Sequence, residues 1–298
     1  MRQMLRAVFF NAYLWAVILR TAVAAQPVST PPMRGTHSQV FLELRERAKA
    51  NGRPNILEPP KSPEASAIGD SFIGVNLWHM KLADSTAPVK MRGLKHKEVD
   101  PDGVRDWTPE HLMLNREVAE GDSLRVSIES ARTGYLYVVD RDMYGNGSKS
   151  APVLIFPTKR LHGGDNAVQP GRPVEIPDFM DKPPVFTVER TRSDQTAIEL
   201  IVIVTPKPLS EIAIQKSEQR LSADQVGRWQ KQWGTDIELT EDAAIVGKLY
   251  TPAEQLAASD PSRPLGHNDP PPMSLFHRKG HPGEAMFVSA AIKMAPAR

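Results

Sequence analysis

Two aspartates set two apart, Asp140 and Asp142 in VVDRDMYGNGSKSAPVLIFP, precede Gly145 and Gly147, a pattern that could hold a metal ion or turn a hairpin. A calcium loop of the D-x-[DN]-x-[DN]-G kind needs oxygen ligands at alternate positions and a bidentate acid to close it, because a large hard cation takes about six to eight oxygens. Tyr144 stands where the third ligand belongs, and Ala151 stands where the closing acid belongs. Aspartate for local hydrogen bonds and glycine for positive φ suit a hairpin connection, so the stretch reads as strand, turn and strand.

His277 and His281, in HRKGHPGE, have the i,i+4 separation that lets two imidazoles share zinc on a helix. Gly280 and Pro282 speak against a helix, and no Glu follows His277 as a metalloprotease motif demands, so a solvated turn is expected. Nucleophile signatures are missing as well. There is no G-x-S-x-G, GNGSKS has neither the spacing nor the ending of a phosphate loop, and the chain has no cysteine. Asp140, Asp142 or Asp165 stay compatible with a carboxylate-dependent hydrolase, because carboxylate separation is a property of the fold.

In LHGGDNAVQPGRPVEIP, residues 161 to 177, Gly163, Gly164 and Gly171 leave backbone amides accessible for an anion beside Arg160 or Arg172. Ordinary loop geometry accounts for the same residues. The basic run KMRGLKHK, residues 90 to 97, reads as a solvated hairpin that could also touch an anionic membrane or wall polymer. No catalytic residue, metal ligand or cofactor is assigned. Asp140, Asp142, Asn146, Arg160, Asp165 and Arg172 stand as candidate binding residues on loop surfaces.

The elements that must hold these loops are short runs rich in β-branched and aromatic residues, separated by Gly, Pro, Asn and Asp: SFIGVNLWHMKL, SLRVSIES, GYLYVVD, PVLIFP, PVEIP, PVFTVE, AIELIVIV and EAMFVSAAIKM. In SLRVSIES the alternation puts Leu124, Val126 and Ile128 on one face and Arg125, Ser127 and Glu129 on the other, as in a half-buried strand. Residues 198 to 204 are almost continuously apolar and suit a central strand covered on both sides. The pattern predicts a mainly β, β-sandwich-like (Ig-like or Greek-key) domain over 71–298, with a closed barrel as the alternative.

Two short helical inserts interrupt the strands. Ser222 and Gln225 have capping-box spacing, Val226, Trp229 and Trp233 form a stripe suited to core packing or to sugar stacking, and Gly234 is placed as a C-terminal cap. Thr251, Pro252 and Glu254 repeat the logic. A separate N-terminal helix is expected in THSQVFLELRERAKANG, with Val40, Leu44 and Ala48 on the face that packs on its own domain or docks a partner.

Residues 1–25 combine a cationic start, an apolar stretch and small residues suited to a signal-peptidase cut, and Arg6, Asn11 and Arg20 make a membrane-spanning helix a poor reading. Residues 26–70 form an extension that holds the first helix and a Pro-rich linker. With Arg2, Arg6 and Arg20 removed, the formal charge of +2 falls to −1, which gives no footprint for nucleic acid. The absence of cysteine leaves stability to the core alone.

The succession GVNLWHM, DWTPEHL, EGDSLRVSIESARTGYLYVVDRDMYGNG, PVLIFPT, GGDNAVQPGRPVEIP, IVIVTPKPL and the Trp229/Trp233 helix resembles a bacterial secreted family catalogued as domain of unknown function forty-three eighty-four. The resemblance covers about residues 72 to 293. It implies a β-sandwich-like module, found alone behind an export signal or appended to caspase-like or kinase domains, and it carries no site residues. The matching positions, Gly121-Asp122, Gly134-Tyr135 and Phe156-Pro157, bound strands.

The expected protein is therefore an extracytoplasmic, periplasmic or secreted, non-enzymatic module of the cell envelope. Its loops or a sheet edge would contact a protein or an envelope polymer, with no nucleic-acid partner and no membrane span after signal cleavage. Two competing readings are an extracytoplasmic hydrolase acting through carboxylates on the same loops and a structural envelope component held by the 37–51 helix.

Overall fold

A computed structural model describes residues 36–50, 70–82, 96–100, 103–260, 262–281 and 283–297. The expected leader, the Pro-rich linker and most of the basic run at 90–97 lie outside the described residues. In chain order the helices are α1 (Thr36–Ala50), α2 (Ala223–Trp233) and α3 (Pro252–Ser259). The strands are β1 (Asp70–Leu82), β2 (His96–Asp100), β3 (Gly103–Leu112), β4 (Ser123–Ser130), β5 (Gly134–Tyr144), β6 (Val153–Phe156) and β7 (Ala167–Val168). They continue as β8 (Val174–Ile176), β9 (Phe186–Thr187), β10 (Gln195–Thr205), β11 (Gln219–Arg220), β12 (Ile237–Glu241), β13 (Ser274–Lys279) and β14 (Met286–Lys293).

The fold is mainly β, with two antiparallel sheets. One runs β12-β13-β1-β3-β2, with β4 on β1 and the short β8 and β9 on β4. The other runs β11-β6-β5-β10-β14, with β7 on β5. Among the described residues no strand of one sheet pairs with a strand of the other, so the layers form a β-sandwich-like body, not a closed barrel. Ile73, Val75 and Leu77 of β1 and Leu124, Val126 and Ile128 of β4 pack on Leu136, Val138, Leu200, Val202 and Val204 across the gap. Each such side chain contributes roughly 1.5–3 kcal/mol by leaving water.

β10 is central, paired with β5 and β14, and buried on both faces as its continuous apolar run predicts. Its even-numbered residues enter the space between the sheets, while Ile201 and Ile203 meet Val226 and Trp229 of α2. Trp229 thus belongs to the core, and Trp233 packs partly buried against the same cluster. Thr251 and Glu254 form the expected capping box on α3; Ser222 occupies the N-cap of α2 but makes no side-chain cap bond.

Three local readings need correction. β4 is buried on both faces and not half-exposed, because Arg125 and Glu129 find buried partners instead of water. His277 lies inside β13 and is 5% exposed, so it is not in a solvated turn; the turn begins at Gly280, with φ 74°. The sequence SLFHRK conceals this strand because its polar side chains are buried. Third, α1 turns Ser38, Phe41, Leu42 and Arg45 inward, whereas Val40 and Ala48 stay half-buried. A stripe at i, i+3, i+4 and i+7 that contains an arginine is not apparent from hydrophobic period alone.

The helix packs on its own domain. Phe41 and Leu44 touch Phe72 and Leu275, and the Arg45 guanidinium forms a two-point ion pair with Glu129 at the centre of the contact.

Candidate functional site

The hairpin expected after residue 138 is present, but β5 extends to Tyr144, so Asp140 and Asp142 lie in a strand and not in its turn. Gly145 and Gly147 make the turn; Gly147 has φ 79°, and its amide donates to Tyr144 O. Asp142 clasps the hairpin to the start of β10 and the segment before it. Its Oδ1 accepts from Gln195 Nε2 at 2.8 Å, and its Oδ2 accepts from Thr191 Oγ1 at 2.7 Å. Its backbone amide donates to Ser150 Oγ at 2.8 Å, and the Arg192 guanidinium covers the Tyr144 ring at 4.0 Å.

Asp140 faces the same side two residues earlier. Burial, helped by the charge on Asp142, pushes its carboxyl up to about 6. On the opposite face Glu199 gathers Arg141 Nε and Lys149 Nζ, and Ser289 Oγ donates to it at 2.7 Å. Burial opposes its ionisation, but these three donors prevail and hold it down at about 2.

The other candidates bond within their own turns, apart from Arg160, which reaches a neighbouring loop. Asn146 Oδ1 accepts from Ser148 N at 2.9 Å, and Asp165 Oδ1 accepts from Ala167 N at 3.0 Å. Arg160 pairs with Glu218, and Arg172 N donates to Gln169 O in a tight turn. Several amides of this loop are engaged within the protein. Gly164 N donates to Leu161 O, Asp165 N to His162 O, and Gly171 N to Glu129 Oε1, so these donors face the protein.

Asp142 and Asp165 do not converge. Ala167 sits opposite Tyr135 near the start of β5, and seven residues of strand separate Tyr135 from Asp142, roughly 20 Å at the usual rise. The cleft that a hydrolase would need from this pair is not formed by them.

The first sheet carries a polar layer on its outer side that the sequence did not suggest. Arg125 Nη1 lies 3.4 Å from Glu175 Oε2, and Arg125 Nη2 donates to Pro184 O at 2.8 Å. Tyr250 OH donates to Glu175 Oε1. Burial drives Glu175 up to about 7 despite Arg125. His111, tilted against Trp78 with ring centroids 3.9 Å apart and planes 37° from parallel, is driven down to about 4 by burial and by Lys248.

Two groups bring histidine together with carboxylates. His162, Asp178 and Asp181 form the first. There His162 Nε2 is engaged by Glu175 O at 2.6 Å, while Asp178 and Asp181 cap each other's amides at 3.0 and 2.8 Å. His37, Glu238 and His277 form the second.

The remaining feature is an edge. β14 pairs with β10 on one side only, apart from an isolated bridge between Val118 and Met294 at its end. Lys293 O and Ala295 N bond to Val118, whereas Met294 N bonds to Thr196 O beside β10. Successive residues of a strand direct their amide and carbonyl groups to opposite sides, so Phe287, Ser289 and Ala291 point theirs away from β10. Among the described residues no strand takes them up. Ser289 and Ala291 are solvent-exposed. Comparison of the chain with protein-family models, with curated proteins and with solved structures gives no match.

Proposed function

We propose that this chain is an exported, non-enzymatic binding module of the bacterial cell envelope that accepts an extended segment of a partner protein along the edge of β14. The observation that carries this reading is the run of outward backbone groups at Phe287, Ser289 and Ala291, which can extend the second sheet by one strand. Export and kinship with the secreted family are part of the proposal and rest on the leader-like residues 1–25 and on the strand-bounding motifs.

Sheet edges invite pairing unless they are short, charged, bulged or interrupted by proline. β7, β9 and β11 span two residues each, β8 lies between Pro173 and Pro177, and β12 carries Glu238 and Glu241. β2 has the charged sequence HKEVD. β14 is eight residues of MFVSAAIK, without proline and with only Lys293 charged. It has none of the guards of the other edges.

Ala291→Pro removes one outward N–H and leaves the bonds of Ala290 and Ile292 to β10 in place. Capture from envelope extract on immobilised protein should recover a partner in stoichiometric amount with the natural chain and lose it with Ala291→Pro, while the far-ultraviolet spectrum is unchanged. Equal recovery of a protein or a wall polymer by both would refute edge binding.

A further inference from the structure

His37 in the first turn of α1, Glu238 on β12 and His277 on β13 place three ligand atoms within 4.8 Å of one another. We propose that they form a binding site for a divalent metal of the zinc class, which fastens the N-terminal helix to the first sheet.

The local register makes the arrangement. Glu238 and His277 are direct cross-strand partners, and such pairs hold their Cβ atoms about 5 Å apart on one face. The helix lays His37 across them. His37 Nε2 and His277 Nδ1 each stand 3.8 Å from Glu238 Oε2. Bonds of about 2.0–2.2 Å from zinc to nitrogen and oxygen imply ligand-to-ligand edges of roughly 3.3 Å in a tetrahedron, so a small inward movement of the exposed Glu238 closes the set.

The outer contacts fit the same purpose. A metal-bound imidazole characteristically gives its second nitrogen to a carboxylate or another acceptor, which fixes its tautomer. His277 Nε2 faces Asp70 Oδ2 at 3.1 Å, and His37 Nδ1 lies 3.3 Å from Thr240 Oγ1. Asp70 is itself anchored, its Oδ1 accepting from Gly280 N at 3.1 Å.

A second observation is the state of His277. It is 5% exposed, yet Nδ1, the nitrogen that faces Glu238, makes no hydrogen bond, while Nε2 is held beside the Asp70 carboxylate. A buried polar group left in that condition is destabilising, and coordination through Nδ1 removes the deficit. The stack of His277 on Phe72, with centroids 4.7 Å apart and planes 22° from parallel, fixes the ring orientation but satisfies neither nitrogen. The His162 group differs at this point, because hydrogen bonds already occupy its nitrogen and its carboxylates. Two imidazoles with one carboxylate favour zinc over calcium or magnesium, which prefer sets made entirely of oxygen.

The test is zinc titration of the chelator-stripped protein against a chromophoric competitor, together with thermal melting. Zinc should bind one to one and, at hundredfold excess over Kd, raise the melting temperature by about 5–10 °C, with no response to calcium. His277→Ala risks the fold, so the variants are His37→Ala and Glu238→Ala at the exposed rim. Each should weaken zinc binding at least about tenfold and cut the thermal shift at the same zinc concentration to about half or less, and Asp70→Asn should weaken binding about tenfold. His162→Ala should change nothing. Absence of stoichiometric binding, or binding that survives both rim substitutions, would overturn the site.

Discussion

Asp140 and Asp142 share one face of one strand and play different parts. Asp142 has hydrogen-bond donors on both oxygens, whereas burial raises the Asp140 carboxyl from 3.8 to about 6. Below about pH 4 both the folded and the unfolded chain carry the Asp140 proton, and the group has no net effect on stability. Between about pH 4 and 6 the unfolded chain ionises while the folded chain keeps its proton, so stability falls across that window and levels off above it. Asp140→Asn should therefore match the natural protein near pH 4 and exceed it by about 1–3 kcal/mol at pH 7 in urea unfolding. A difference that does not vary with pH would contradict the assignment. None of this was legible in DRD, because the roles depend on Thr191 and Gln195, about fifty residues further along the chain.

Among the elements, α1 shows how a polar pair can organise an apolar contact. Arg45 and Glu129 are both buried, the arginine also donates to Pro270 O, and Glu129 also accepts from Gly171 N. Removing one member leaves the other charged and without its counter-ion in the interior, which costs about 3–5 kcal/mol. Arg45→Met should lose that much stability by chemical denaturation. The double variant Arg45→Met with Glu129→Gln should recover a large part of it, since the amide carries no charge and can still accept from Gly171. If the double variant is as unstable as the sum of the single ones, the pair is not the organising contact.

The same element marks where sequence reading stops. Strands with alternating or continuous apolar residues, such as β4, β5, β10 and β14, stand out because burial follows from hydrophobicity. β3, with Pro109 inside it, and β13, with His277 and Arg278 buried, do not. Their polar groups are accommodated by partners that only the fold brings near. The proposed metal ligands at positions 37, 238 and 277 come from a helix and two strands, so no spacing motif announces them. The pair that did have zinc-like spacing, His277 and His281, is divided by the strand end at Lys279.

At the scale of the whole molecule, two sheets enclose one apolar layer, and helices and loops cover their outer sides unequally. The first sheet lies under α1 and the polar layer around Glu175. The second lies under α2, with β14 as an unguarded border. Among the described residues no helix is long and apolar enough to cross a membrane. The β14 border is the feature on which the proposed strand addition rests.

Amide hydrogen exchange, read residue by residue on the free protein and on its complex with the captured partner, is the most direct measure of that reading. The account predicts that the amides of Phe287, Ser289 and Ala291 exchange rapidly in the free protein and become protected in the complex, while those of Val288 and Ala290, bonded to β10, are slow in both. Protection of the three outward amides in the free chain, or their continued rapid exchange in the complex, would contradict it.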